Sequence, residues 1–209
     1  MIRLQNVNKK FTDKTILNDY SLIIKENDFL GIYGASGSGK TTLLNICSLL
    51  EKQDSGDVVF EDVKNPNRRQ IQKLRQTKIG YLFQNYGLIE NETVEKNLAV
   101  AFYGMKMSKL EKHSIALEAL KKVGLSNLLK KKIYVLSGGE QQRVALARLL
   151  IKKPKYIFAD EPTGNLDRKN AEIVFDILQE FVHQGTTVLF VSHDEALVRR
   201  AKTIVELMN

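Results

Sequence analysis

The stretch "GASGSGKTT", Gly34 to Thr42, constrains the fold of this chain more than any other. It follows the apolar run "FLGIY" (29–33) and leads into the apolar, helix-period run "TTLLNICSLL" (41–50). A glycine-rich loop that opens a helix presents backbone N–H groups and the positive end of the helix dipole, which together bind anions. We therefore expect a strand, an anion-binding loop and a helix in direct succession.

The spacing within this loop matches the P-loop pattern: a glycine, four residues, and then Gly39, Lys40 and Thr41. Such a lysine reaches the β- and γ-phosphates of a nucleotide, and the threonine hydroxyl binds Mg²⁺. The other candidate nucleotide contacts in the loop are Gly34, Ala35, Ser36, Gly37, Ser38 and Thr42. A glycine-rich turn without a ligand is the alternative, and the strand-to-helix setting disfavours it.

Short β-rich runs alternate with longer helical patterns, which predicts an α/β fold with a mainly parallel sheet and crossover helices. Three more apolar runs each stop at a polar residue: "KIGYLFQ" (78–84), "KYIFADE" (155–161) and "TTVLFVSHD" (186–194). Polar residues at the ends of parallel strands line the crevice of such a sheet.

The 209 residues fit one domain with an inserted part. Residues 85–135 are helix-period and predict a helical insertion, in which Gly124 stops a helix. The first thirty residues alternate apolar and polar positions and predict a small antiparallel sheet at the edge. The core is then formed by 1–84 and 136–209.

Composition excludes some classes of protein and leaves others open. With 43% hydrophobic and 27% charged residues, the chain is an ordinary globular protein, and it has no apolar run long enough for a signal peptide or a membrane span. We expect it to be cytosolic, with Cys47 a small buried hydrophobe in a reducing compartment. The net charge of +8 suits an anionic ligand, a membrane surface or nucleic acid, and does not choose among them.

The run "YIFADE" supplies the carboxylates that a P-loop requires. Asp160 is expected to bind Mg²⁺ through water, and Glu161 to polarise the attacking water as general base. Two acids that cap the next helix are the alternative.

A second anion-binding helix end is predicted at "YVLSGGEQQR" (134–143), where Ser137 and Glu140 form a capping box and the helix begins at Gly138. A capping box alone carries little weight. Because the P-loop already surrounds the phosphates of its own chain, a two-fold head-to-tail dimer explains this helix: Ser137 and Gly139 of each copy close over the γ-phosphate held by Lys40 of the other.

"LSGGEQQR", the P-loop, "YIFADE", "GNLD" (164–167), Gln84 and His193 together resemble the ATP-binding-cassette ATPases, in matching order over almost the whole chain. The resemblance implies that ATP and Mg²⁺ are the cofactors and that the helical insertion contacts an integral membrane permease. It also implies a signature motif at 136–140, in which the residues that complete the second copy's nucleotide site are Ser137, Gly138, Gly139 and Glu140.

The same resemblance implies roles for four more residues. Gln84 is the Mg²⁺-sensing and coupling residue, and His193 contacts the γ-phosphate beside the catalytic Glu161. Asp167 communicates across the dimer. Phe11 stacks on adenine, although tyrosine is commoner at that place.

The stretch "ADEPTGNLD" is similar to one branch of that family, which includes macrolide exporters, lipoprotein-releasing ATPases, bacitracin-type resistance ATPases and the cell-division ATPase. The compact length also resembles ATPases of small bacteriocin exporters. This similarity implies an ATPase that lies at the cytoplasmic face of the cell membrane. It would be held there by its permease and would not bind nucleic acid. "KKIYVLSGG" lacks the usual proline before the signature, which leaves the approach to that helix in doubt.

Two other functions remain open. One is a cytosolic ATPase of the family that acts on nucleic acid or ribosomes, although such proteins usually carry two cassettes or a long coiled-coil insertion. The other is a regulator that signals through a cell-wall hydrolase complex, which nothing in the sequence excludes.

Overall fold

The computed structural model describes residues 1–12, 14–164 and 166–207. In chain order the strands are β1 (Ile2–Phe11), β2 (Lys14–Ile24), β3 (Phe29–Tyr33), β4 (Ser55–Phe60), β5 (Val63–Lys64), β6 (Ile79–Leu82), β7 (Tyr156–Asp160), β8 (Thr187–Val191) and β9 (Thr203–Glu206). The α-helices are α1 (Lys40–Cys47), α2 (Arg68–Thr77), α3 (Val94–Ala99), α4 (Lys109–Lys122), α5 (Gly138–Lys152), α6 (Arg168–His183) and α7 (Glu195–Val198).

A five-stranded sheet in the order β6-β7-β8-β3-β9 forms the centre of the fold, and all of its strand pairs are parallel. Strand β8 is buried along its whole length because the sheet is covered on both faces, which is why its sequence is a continuous apolar run. The predicted α/β fold with a mainly parallel sheet is confirmed. Strand β9 was not predicted, because its short run alternates between half-buried and exposed positions at the sheet edge.

A second, antiparallel sheet has the order β2-β1-β4-β5. Its β1–β2 hairpin is the antiparallel sheet predicted from the alternation in the first thirty residues. Strands β4 and β5 extend it from the other side, and the sequence analysis missed them because they are short and β4 pairs with β1, which lies far from it in the sequence.

Helix α1 lies between the two sheets. Its apolar side chains are fully buried with those of β1 and β8, and they include Cys47, whose predicted burial is confirmed. The helix ends at Cys47 and not at Leu50 as the apolar run suggested. Leu49 adopts a φ of +61°, a left-handed conformation that a helix cannot continue through.

The segment 85–135 contains α3, α4 and two short 3₁₀ helices, and α3 and α4 pack on α5. Helix α4 ends at Lys122, and Gly124 follows with a φ of +73°, so the predicted helix stop is present. No helix within the described residues is both long and apolar enough to span a membrane. The division into a core and a separate helical insertion stays a prediction.

Three aromatic rings attach α6 to the face of the parallel sheet. The ring of Phe175 lies 5.2 Å from that of Phe29 and 5.4 Å from that of Phe190, and the Phe29 and Phe190 rings are 5.0 Å apart, measured between centroids. These tilted and edge-on contacts are the arrangements that aromatic pairs prefer. The cluster therefore holds the helix that follows Asp167 against β3 and β8.

We expect Phe175→Ala to lower the free energy of unfolding by about 3–5 kcal/mol, because it leaves a cavity beneath α6. Leu110→Ala is the control, since Leu110 is 83% exposed and its truncation leaves no cavity. Urea denaturation followed by circular dichroism measures both. Equal midpoints for the two variants would contradict the role given to the aromatic cluster.

Candidate functional site

The carboxyl ends of four parallel strands meet at one edge of the sheet. The P-loop follows β3, Gln84 follows β6, Asp160 and Glu161 end β7, and His193 follows β8. A cleft of about 430 Å³ lies at this edge, and its lining residues are Lys14, Ile16, Ser36, Gly37, Gly39, Lys40, Thr41, Thr42, Gln84, Glu161 and His193. The structure thus brings together residues from all four predicted strand ends.

The P-loop holds a buried cation. The Lys40 side chain is 5% exposed, and its Nζ donates hydrogen bonds of 2.8 Å to the carbonyls of Gly34 and Ala35. Within the described residues no carboxylate forms an ion pair with it, and the buried Ser38 hydroxyl also lacks a hydrogen-bond partner. A buried positive charge that no carboxylate of the described residues contacts directly fits an anionic ligand such as a polyphosphate.

The backbone of the loop requires glycine at its last turn. Gly39 has a φ of +97°, and a Cβ at this position would lie 2.4 Å from Cγ2 of Ile16. Both the conformation and the close contact exclude other residues. The loop can therefore wrap closely around a ligand.

Thr41 and Asp160 provide adjacent oxygen atoms. The Thr41 hydroxyl donates to Asp160 Oδ1 over 3.1 Å. Burial raises the pKa of Asp160, although the Thr41 hydrogen bond and the charge of Lys40 oppose the shift. A hydroxyl and a carboxylate are hard oxygen ligands of the kind that Mg²⁺ takes, with water completing the shell, so these two residues fit that ion.

Glu161 lies inside the cleft with its side chain 10% exposed. Its Oε2 accepts a 3.3 Å hydrogen bond from the His193 backbone N–H. The ring Nε2 of His193 is 3.1 Å from Oε1, but no hydrogen-bond donor of the residues that the structure describes is directed at this buried oxygen. Burial raises the pKa of Glu161, with the nearby His193 opposing the shift, and a carboxylate with a raised pKa is suited to general-base chemistry.

Gln84 and Phe11 differ in their position. Gln84 is exposed and lines the cleft, as predicted. Phe11 is 45% exposed at the end of β1, where Nζ of Lys9 lies 4.9 Å above its ring, and it is not among the residues that line the cleft. Its assignment to adenine therefore stays a prediction.

Two lining residues escaped the sequence analysis. The Nζ of Lys14 donates to the Gly37 carbonyl over 3.0 Å, and Ile16 packs against Gly39. Both come from the start of β2, about twenty residues before the loop. Only the folding of the β1–β2 hairpin brings them there, so no motif spacing identifies them.

The signature stretch forms the predicted cap of α5. The Glu140 backbone N–H donates to Ser137 Oγ over 3.3 Å, and the Ser137 N–H donates to Glu140 Oε2 over 2.8 Å. The helix begins at Gly138, as expected. None of these residues lines the chain's own cleft.

The "GNLD" motif leads into α6. Asp167 is the N-cap of that helix, and its Oδ1 accepts from the Asn170 backbone N–H over 2.8 Å. Asp167 does not line the chain's own cleft either. Asn165 of the motif lies outside the described residues.

Comparison with known proteins agrees with this geometry. A family model described as "ABC transporter" matches residues 17–164. The lipoprotein-releasing system ATP-binding protein LolD of Aquifex aeolicus is 39% identical over 99% of this chain and 93% of its own length. The macrolide export ATP-binding/permease protein MacB of Campylobacter jejuni is also 39% identical over 99% of this chain, which spans only 33% of that longer relative.

A solved dimeric ATP-binding cassette in a post-hydrolysis state, bound to ADP and Pi, has a TM-score of 0.91 and 37% identity, with 99% of this chain and 94% of the other covered. A second dimeric structure of the same cassette, described as a bacterial ABC transporter cassette, has a TM-score of 0.90 and 38% identity at the same coverage. The chain therefore belongs to the ABC transporter family and is one of its ATP-binding, ATP-hydrolysing cassettes.

Proposed function

We propose that the cleft binds ATP together with Mg²⁺ and that Glu161 is the general base that activates the attacking water. The observation that carries this proposal is the buried cation of Lys40, which shares one cleft with Glu161 and adjoins the Thr41–Asp160 pair. Lys40 and the P-loop amides bind the phosphates, since they are the cationic and N–H groups at this end of α1. Mg²⁺, when bound, neutralises charge on the β- and γ-phosphates.

The residues around Glu161 then orient the reacting groups. Glu161 holds its carboxylate toward the water that attacks the γ-phosphate, and its raised pKa makes it a better proton acceptor. His193 holds Glu161 through its backbone N–H, and its ring, which lines the cleft beside Glu161, would contact the γ-phosphate. Gln84 reaches the same cleft from the end of β6. It would couple the presence of nucleotide and Mg²⁺ in the cleft to the position of the helical segment that follows.

We further propose that two copies form a head-to-tail dimer with ATP at each interface. Two observations support it: the capped N-terminus of α5 does not line the cleft of its own chain, and the one cassette whose two solved structures are described above is dimeric in both. Ser137 and Gly139 of one copy would bind the γ-phosphate held by Lys40 of the other. Asp167 lies near the same contact, since α6 packs on α5.

An integral membrane permease is the proposed partner. A groove of about 1180 Å³, much larger than the nucleotide cleft and lined by none of the predicted site residues, runs between α2 and the 3₁₀ helix 100–102. Val100 is 58% and Tyr103 75% exposed there, beside Leu50, so apolar side chains face solvent. We assign this groove to a cytoplasmic segment of the permease, because exposed apolar patches mark protein contacts.

The names of the relatives indicate several kinds of transported substrate and do not single out one. LolD is named for lipoprotein release and MacB for macrolide export. We propose that dimer closure powers export, or transmits force across the membrane, for a peptide, lipoprotein or antimicrobial substrate. The protein would then act at the cytoplasmic face of the cell membrane, held there by its permease.

Lys40→Ala should weaken ATP binding by about 2–5 kcal/mol, which is at least about thirtyfold, because it removes the buried charge that faces the phosphates. Isothermal titration with ATP and Mg²⁺ measures the effect. Lys122→Ala, on the exposed face of α4, is the control and should bind normally. Tight binding by Lys40→Ala would refute the assignment of the cleft.

Glu161→Gln should form a stable two-copy species with ATP, because it binds the nucleotide and cannot remove the γ-phosphate that bridges the copies. Adding Ser137→Arg should abolish this dimer, since a cation and a bulky side chain then stand at the helix N-terminus. Light scattering measures the mass. The control is Ser126→Arg in the same background, at an exposed position outside the signature, and it should still pair. A dimer that survives Ser137→Arg would exclude the proposed interface.

Tyr103→Asp should reduce recovery of a multi-span membrane protein with the tagged chain from detergent-solubilised cells, while ATP hydrolysis by the purified chain is unchanged. Leu110→Asp, at an exposed position outside the groove, is the matched control and should retain the partner. Recovery of RNA or ribosomes instead of a membrane protein would favour the nucleic-acid alternative.

A further inference from the structure

Helix α5 carries two neighbouring glutamines that differ in burial. Gln141 is half-buried, whereas Gln142 is only 2% exposed. The Nε2 of Gln142 donates a 2.8 Å hydrogen bond to the carbonyl of Pro162. This contact holds the carbonyl of the residue directly after Glu161, so the signature helix is attached to the loop of the proposed general base.

The chemistry of the amide explains why a glutamine occupies this position. Only the NH₂ group of Gln142 can face a carbonyl, so its Oε1 points elsewhere, and that buried oxygen has no hydrogen-bond partner among the described residues. An unsatisfied buried acceptor is destabilising, and an apolar side chain of the same length would avoid it. The N–H that Gln142 donates to the Pro162 carbonyl therefore explains why a glutamine occupies this position.

The backbone at Glu161 needs support of this kind. Its φ of +46° lies in the left-handed region that non-glycine residues seldom adopt. Such a conformation persists only where the surroundings hold it on several sides. The Glu161 N–H donates to the Val191 carbonyl over 3.1 Å, and the Gly164 N–H donates to the Glu161 carbonyl over 3.2 Å. Gln142 holds the carbonyl of the next residue.

A second contact, one residue further along α5, joins that helix to α6. Arg143 donates to Asn170 Oδ1, and Asn170 Nδ2 donates to Asp167 Oδ2 over 2.7 Å. A Cβ on Gly139 would lie 2.8 Å from Cγ of Asn170, so the first turns of α5 and α6 are in direct contact. The start of α5 thus contacts both Pro162, the residue after Glu161, and the first turn of α6, the residue before which is Asp167.

We propose that Gln142 is a positioning residue that transmits the docking of helix α5 to Glu161. The proposal rests on the ATP-bridged dimer of the preceding subsection, in which the N-terminus of α5 meets the nucleotide of the second copy. When α5 docks, the buried Gln142 amide fixes the position of Glu161, the general base of the chain's own cleft. Each nucleotide then orders the base that acts on the other, so both sites become competent together.

The test compares Gln142→Met with Gln141→Met in the full chain. Methionine keeps the length and removes the donor, and Gln141 is a matched control because its Nε2 donates to the Leu136 carbonyl over 3.0 Å and not to the Glu161 segment. We expect Gln142→Met to lower kcat at least about tenfold relative to the control. The KM for ATP, and ATP-dependent pairing in a Glu161→Gln background, should stay within about twofold of the control.

Equal kcat values for the two variants would overturn the proposal. So would a parallel loss of ATP binding and pairing in Gln142→Met, because a general structural defect has that effect. If the methionine variant does not fold, Gln142→Leu gives the same comparison, since leucine is also a strong helix former and lacks the donor. Failure of the unsubstituted protein to hydrolyse ATP or to pair would instead refute the ATP-bridged dimer itself.

Discussion

Burial of a parallel sheet between helices is the constraint on which the nucleotide cleft depends. Its central strands have both faces covered, so they consist of apolar residues, and polar side chains occur where the strands end. Because all the strands run in one direction, their carboxyl ends meet at one edge. Residues separated by well over a hundred positions, such as Lys40 and His193, thereby reach the same cleft.

One basic side chain, Lys40, and two acidic side chains, Asp160 and Glu161, lie close together at the cleft, where they have little contact with solvent. Lys40 is surrounded by main-chain carbonyls, and burial raises the pKa of both Asp160 and Glu161. In such surroundings a polyphosphate and a cation gain more from electrostatic contact than they would in water. The same burial raises the pKa of Glu161, so the proposed binding and the proposed general-base step would have one physical cause.

Helix α5 connects three surfaces to which we assign different partners. Its N-terminus carries the signature cap, its second turn reaches the Glu161 loop through Gln142, and its last residue, Lys152, lines the large groove. With 15 residues it spans about 22 Å. A rigid element of this length can carry a displacement at the dimer interface to the permease groove without a change in its own structure.

The sequence by itself determined the fold class, the P-loop, the strand-end residues and the cap at Ser137, because each depends on interactions between residues close together in the chain. Glycine spacing, apolar runs and a capping box are local patterns, and the structure retains all of them. The order of the strands, the four-stranded second sheet and the entry of Lys14 and Ile16 into the cleft were decided only by the tertiary structure. The same is true of the bond from Gln142 to Pro162, since a single buried hydrogen bond across twenty residues depends on the packing of two elements and leaves no repeating signal in the chain.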